Sequence, residues 1–155
     1  MSLATDTIFI QALQSNPTLM SYLSEGSEQP RLYGTAIPLP DEDADNTPVP
    51  YIIVTFDGLS NDDTTKDDPY ESDEDRVNIG IELTAKNLEE LHNLSQTVRD
   101  TIYQYMMENK TDVDDYTFTA QAIQYDSMKP CYWQVLNYQC DTKRDIEYED
   151  QGSEL

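Results

Sequence analysis

The chain is short of positive charge: nine Lys and Arg stand against 31 Asp and Glu in 155 residues, a net charge of −22. That shortage excludes a mainly electrostatic grip on nucleic acid or on an anionic membrane, since both are held through Lys and Arg. Long apolar runs are missing as well. No stretch of about 18 apolar residues is there to span a bilayer, and the N-terminus has no basic flank or continuous apolar segment like a signal peptide. The expectation is an intracellular product with no membrane partner. Histidine is almost absent: His92 is the only one. A Ser-His-Asp or Cys-His device would need it as base, but it falls among Glu89, Asn93 and Gln96 and reads as a solvated surface residue.

Cysteine and glycine are equally sparse. Cys131 and Cys140 fall in one strand-like stretch at opposite parity, so they point to opposite faces and lie roughly 30 Å apart, beyond disulfide reach. Both read as small, buried or half-buried hydrophobes with free thiols. With one histidine and no further cysteine, a zinc site has no ligand set. Five scattered glycines make no phosphate loop; Gly58 reads as a strand end and Gly80 as a close packing point. The acid clusters Asp41, Glu42, Asp43 and Asp45, and Asp62, Asp63, Asp67 and Asp68, lack the spacing and turn glycine of a calcium loop. Two carboxylates for hydrolysis can be chosen anywhere among 31 acids, and a choice that free carries no information. The expectation is a protein with no catalytic residues, metal or cofactor. A chain so acidic repels itself, so its stability should rise with ionic strength as that repulsion is screened.

What is present is clearest over residues 76–107. Val77, Ile79, Ile81 and Leu83 alternate with Asn78, Gly80, Glu82 and Thr84, the period of a strand with one buried and one wet face. After Ala85 the period lengthens: Leu88, Leu91, Leu94, Val98, Ile102, Tyr105 and Met106 form one stripe of a helix. Asn87 can cap that helix, and Glu90 can reach back to the cap backbone. Each element has one apolar face, so the helix is expected to lie across the sheet. Val77, Ile79, Ile81, Leu83, Leu91, Leu94, Val98 and Ile102 are the expected structural core.

Around this unit the chain reads as follows. Thr5 or Asp6 caps a short helix with Ile8, Phe9, Ala12 and Leu13 on one face, ended by Asn16-Pro17. Pro17 opens a second helical segment with Leu19, Met20, Tyr22 and Leu23 as its apolar residues, and residues 24–30 break it. Residues 32–37 form a short edge strand bracketed by Pro38 and Pro40. Residues 41–50 are an exposed acidic connection. Residues 51–59 form a strand with Ile52, Val54 and Phe56 on its core side. It makes a hairpin with the strand from Arg76 through a long polar tip at residues 61–75. After the long helix come a turn at 109–115, a strand at 116–125, a turn at 126–130 and a last strand from Cys131 to about Lys143. One domain over residues 1–146 is followed by an acidic tail, 147–155, without periodicity. Eleven tyrosines stand against three phenylalanines. Tyr103, Tyr105, Tyr116, Tyr125, Tyr132 and Tyr138 read either as half-buried aromatics of a small domain or as a protein-binding surface.

The succession "FIQALQSNPTLMSYL", "PVPYIIV", "VNIGIELTA", "NLEELHNLSQTVRDTIYQY" and two closing strands resembles the tail completion and tail terminator proteins of long-tailed, siphovirus-like phages. The resemblance covers residues 8–140 and rests on order and spacing. It implies an α+β fold, a mostly antiparallel sheet of about five strands packed on one side by the long helix, with short N-terminal helices. It further implies a structural virion protein that forms a hexameric ring at the tail–neck junction. Made in the host cytoplasm, such a ring would stop tube polymerisation and join the tail tube protein to the neck or connector protein. DNA would pass through its lumen without sequence-specific binding, and an acidic wall would let the duplex slide. The long tip, with Asn61, Asp62, Asp63, Lys66, Asp67, Asp68 and Tyr70, is the expected assembly loop. Two rival readings are a neck adaptor or minor tail protein, and an acidic DNA mimic that inhibits a nucleic-acid-binding protein.

Overall fold

The structure is a computed structural model that describes residues 5–34, 48–60, 74–109 and 113–143. Helix α1 (Thr5–Gln14) ends before Asn16-Pro17, and α2 (Pro17–Leu23) begins at the proline. Proline costs nothing there, because the first helical N–H has no partner within the helix. The Asn16 side chain accepts the Leu19 N–H at 3.1 Å and so caps the second helix. Strand β1 (Leu32–Tyr33) follows, then β2 (Tyr51–Ser60), β3 (Glu74–Ala85), the long helix α3 (Leu88–Glu108), β4 (Val113–Ala120), β5 (Gln124–Asp126) and β6 (Cys131–Lys143).

The strands join in the order β1-β2-β3-β6-β4, with β5 also paired to β6. Every pairing is antiparallel except that of β1 with β2. This is the expected α+β fold, with a six-stranded sheet rather than five. The sixth strand arises because the stretch 116–125 is divided. β4 begins earlier, at Val113, and stops at Ala120, and a separate short strand resumes at Gln124. The expected turn at 109–115 therefore overlaps β4, and its residues 110–112 lie outside the described residues.

Val77, Ile79, Ile81, Leu83 and Ala85 are fully buried, and α3 lays Leu91, Leu94, Val98 and Ile102 on the same face. α1 shares that layer: Phe9 meets the Tyr138 ring at 5.1 Å, and Tyr116 and Phe118 approach the same ring at 5.6 and 5.2 Å. Tyr138 is therefore the centre of an aromatic cluster between sheet and helices, a core role and not a surface one.

Four local expectations need correction. On α1 the buried isoleucine is Ile10, with Ile8 only half-buried. Ile10 lies over Gly34, where a Cβ would come within 2.7 Å of its Cδ1, so the missing side chain makes the room. Phe56 is 37% exposed although Ile52 and Val54 are fully buried. Among the described residues β1 flanks β2 at Ile52 and Ile53 alone, and Phe56 lies at the register shift before Gly58. Thr5 lies inside α1 and not at its cap. Asn87 does cap α3, accepting the Glu90 N–H at 2.9 Å, but Glu90 does not return to the cap backbone. Its carboxylate accepts from the Asn87 side-chain amide at 3.5 Å and from the Tyr22 hydroxyl at 3.2 Å, the latter tying α2 to α3.

Burial also sets the alkaline limit of the fold. It raises Cys140 from 9.0 to about 12, and it lifts Tyr138, Tyr116 and Tyr51 above 10.0. Tyr22 goes up to about 12, through burial first and then the Glu90 carboxylate. In the unfolded chain these groups ionise at their ordinary values, so proton loss favours unfolding once pH exceeds about 9. Their stabilising contribution is complete below that pH and is lost as pH climbs towards the folded values. We expect Tm to fall steadily from about pH 9 upward. The tyrosinate absorbance of Tyr22, Tyr51, Tyr116 and Tyr138 should rise in step with unfolding; ionisation of these four near their ordinary value in a still-folded protein would contradict this.

Candidate interaction surface

The face of the sheet opposite α1 and α3 is built from the alternate residues of each strand. Near the end where β2 begins it is apolar and partly dry: Tyr51, Ile53, Trp133 and Val135 are each half-buried. The Lys129 ammonium lies 4.9 Å above the centre of the Tyr51 ring, a cation–π contact, and the Tyr33 ring stands 6.5 Å from that of Tyr51. Burial pushes the Glu82 carboxyl up. It also raises the Cys131 thiol, as does the Asp126 carboxylate, although Lys129 partly opposes this. A thiol held protonated is a poor nucleophile.

Towards the other end the same face turns polar but mostly uncharged. A shallow cavity of about 490 Å³ opens there, lined by Asp57, Asn78, Thr117, Thr119, Asn137, Tyr138 and Gln139. At Gly80 a Cβ would lie 2.8 Å from Thr55 Oγ1, so the expected close packing point holds for this glycine. Gly58 instead takes φ 148° at the register shift in β2, a conformation that favours glycine. Beyond the cavity, Arg76 pairs with Asp141 at 3.5 Å across adjacent strands.

The β4 side of the sheet is the second surface. The Gln121 N–H donates to the Val135 carbonyl at 2.9 Å. In an antiparallel ladder residues of one parity face the partner strand. Thr117 and Thr119 therefore bond to β6, while Tyr116, Phe118 and Ala120 turn their backbone groups outward. The Asp115 carboxylate accepts the Tyr116 N–H at 2.8 Å and occupies one of these donors. Phe118 keeps its ring in the core layer, with the Arg99 guanidinium 4.4 Å above it.

The residues singled out from sequence divide clearly. All eight expected core residues from Val77 to Ile102 are brought together and buried. The expected assembly-loop residues Asn61, Asp62, Asp63, Lys66, Asp67, Asp68 and Tyr70 lie outside the described residues. Their flanks do not: Ser60 and Arg76 are register partners at the end of the hairpin. His92 is exposed on α3. Both cysteines are free and buried. Among the described residues no group of three His, Cys, Asp or Glu could hold a metal ion, and no helix is long and apolar enough to cross a membrane. Of the six tyrosines weighed as a surface, Tyr103 and Tyr125 are more than half exposed, Tyr138 is buried and the rest are half-buried. Sequence reasoning passed over the outward side of β4. Its signal is weak: Asp114 and Asp115 blunt the start of this edge, and only the stretch from Tyr116 to Ala120 carries neither charge nor proline. No protein-family model and no curated protein matches this chain.

Proposed function

We propose that this protein is a structural subunit of a phage tail, assembling into a hexameric ring that ends the tail tube and joins it to the neck. One observation carries the reading: a mostly antiparallel sheet backed by helices on one side, whose other face carries no helix among the described residues. A rigid plate of this kind suits repeated contacts between copies and stacked neighbours, because strands and packed helices hold position better than loops. The mechanism is geometric. A ring whose one face matches the tube and whose other face does not makes further stacking impossible. The surplus of carboxylates fits a lumen through which DNA slides, since carboxylates repel phosphates and few Lys or Arg are there to hold them. The order of elements, two short helices, a long hairpin, a long helix and closing strands, supports the same reading.

The test is particle assembly with the gene product removed. Tubes of uncontrolled length and heads without joined tails are expected, with both defects reversed when the protein is supplied. Labelled protein should appear as one ring between tube and neck. Normal tail lengths and normal infectivity without it would overturn the proposal, and a label elsewhere on the tail would assign it instead to the minor tail proteins.

A further inference from the structure

We infer that the polar cavity on the sheet face opposite the helices is a binding site for a neutral saccharide, held by hydrogen bonds and not by charge. The site is independent of the ring reading, and losing it would leave that reading standing.

Two rows of register partners cross the sheet at the cavity. Asn78, Gln139 and Thr117 stand side by side in one, and Asn137 and Thr119 in the next, where Gly80 is the β3 member and adds no side chain. Residues two apart on a strand share a face, so five neutral hydrogen-bonding side chains are gathered on three neighbouring strands. The surface is open: Thr117, Thr119 and Gln139 are exposed, and Asn78 and Asn137 are half-buried. The cavity measures about 490 Å³, inside the range of small-molecule sites.

The lining is rich in unused hydrogen-bonding capacity. The Gln139 amide donates to Asn78 Oδ1 at 3.3 Å. That leaves, among the described residues, the Gln139 carbonyl, the Asn78 amide donors, the Asn137 amide and both threonine hydroxyls to a ligand. Amides and hydroxyls supply donors and acceptors together. A sugar is their natural complement, since each of its hydroxyls also donates and accepts. Farther along β6, on the same face, the half-buried Trp133 lies four residues from Asn137, about 13 Å along the strand, and offers an apolar ring to the next unit of a longer ligand.

Charge separates this ligand from its alternatives. Asp57 is the single charged residue in the lining, and its carboxylate already accepts the Thr55 hydroxyl at 2.8 Å. No Lys or Arg lines the cavity to hold a phosphate, a sulfate or a uronic acid, and a net charge of −22 repels all three. A basic ligand would be drawn to the denser carboxylates of residues 41–45 or 62–68. What the cavity suits is therefore polar and uncharged.

The full chain should be screened on an array of neutral oligosaccharides built from hexoses and N-acetylhexosamines, with sialylated and uronate-containing glycans beside them. Binding is expected to neutral members only. Calorimetry with the best of these in solution should give an affinity that does not change between low and high salt, because no charge pair contributes. Asn137→Ala and Thr117→Val should each weaken binding about fivefold while Tm stays at the wild-type value. Thr117→Val removes a hydroxyl at constant shape, so it tests the site even if Asn137→Ala unfolds the chain. Failure of every neutral glycan to bind at millimolar concentration, preference for acidic glycans, an affinity that falls with salt, or wild-type binding by Thr117→Val and folded Asn137→Ala would each overturn the site.

Discussion

Val98→Asp is expected to abolish the cooperative unfolding transition. Val98 is fully exposed in an unfolded chain and has no exposure at all in the structure, where it lies in the α3 stripe with Leu94 and Ile102 over β3. Replacing it forfeits the burial of an aliphatic side chain, about 1.5–3 kcal/mol. It also forces a carboxylate into the apolar layer of Leu94, Ile102 and β3, which costs several kcal/mol more unless the group takes up a proton. Domains of this size hold only about 5–15 kcal/mol in total, so the sum removes most or all of the stability. Differential scanning calorimetry should show no endotherm at neutral pH. Leu94→Asp, 2% exposed before substitution, should behave alike. A folded, assembling Val98→Asp would show that the helix packs by another face.

Arg31→Ala is expected to cost about 3 kcal/mol, with a fall in Tm of roughly 6–12 °C at about 2–4 °C per kcal/mol. Arg31 is 3% exposed, and its guanidinium donates to the Pro50 and Glu25 carbonyls at 2.9 and 2.7 Å and to Ser27 Oγ at 2.7 Å. Its backbone is engaged as well, with N–H to the Leu23 carbonyl and C=O from the Ile52 N–H, both at 3.0 Å. One side chain thus fastens the turn after α2 to the start of β2. Truncation leaves acceptors without donors in a closed space, which costs more than the bonds themselves are worth. Arg31→Lys should recover little, because a single ammonium cannot replace a planar fork that reaches three acceptors. Thermal melts of both variants at pH 7 check this; a shift below about 2 °C for the alanine variant would show that water replaces the side chain.

The elements carried by periodicity were readable in advance. The β3 alternation and the α3 stripe are each long, and each has one face with a single chemical character, so Val77 to Ile102 could be assigned to the core without coordinates. Cys131–Lys143 was bounded by a proline and by the end of its alternation. Arg31 was not legible: it lies in a stretch without a period, and its importance comes from carbonyls that any sequence would possess. Phe56 fitted the alternation of β2 and still escaped burial, at a register shift before Gly58 that depends on how β2 meets β3. The outward edge of β4 was invisible for a related reason. Which side of a strand keeps its backbone groups free depends on pairing order, and β6 inserts between β3 and β4 only after the chain has passed both. Glu90 shows the same limit at one residue, as its carboxylate is shared between the Asn87 side chain and Tyr22, a partner 68 positions away.

The central claim is that copies of this acidic chain assemble into a closed ring once their repulsion is screened. Mass in solution, followed by analytical ultracentrifugation from low to high salt, tests it most directly. The account predicts a shift from the 17.8 kDa monomer to one discrete species of about 107 kDa, six copies, with no larger polymer. A monomer that persists at every salt concentration, or an open series of ever larger species, would contradict it.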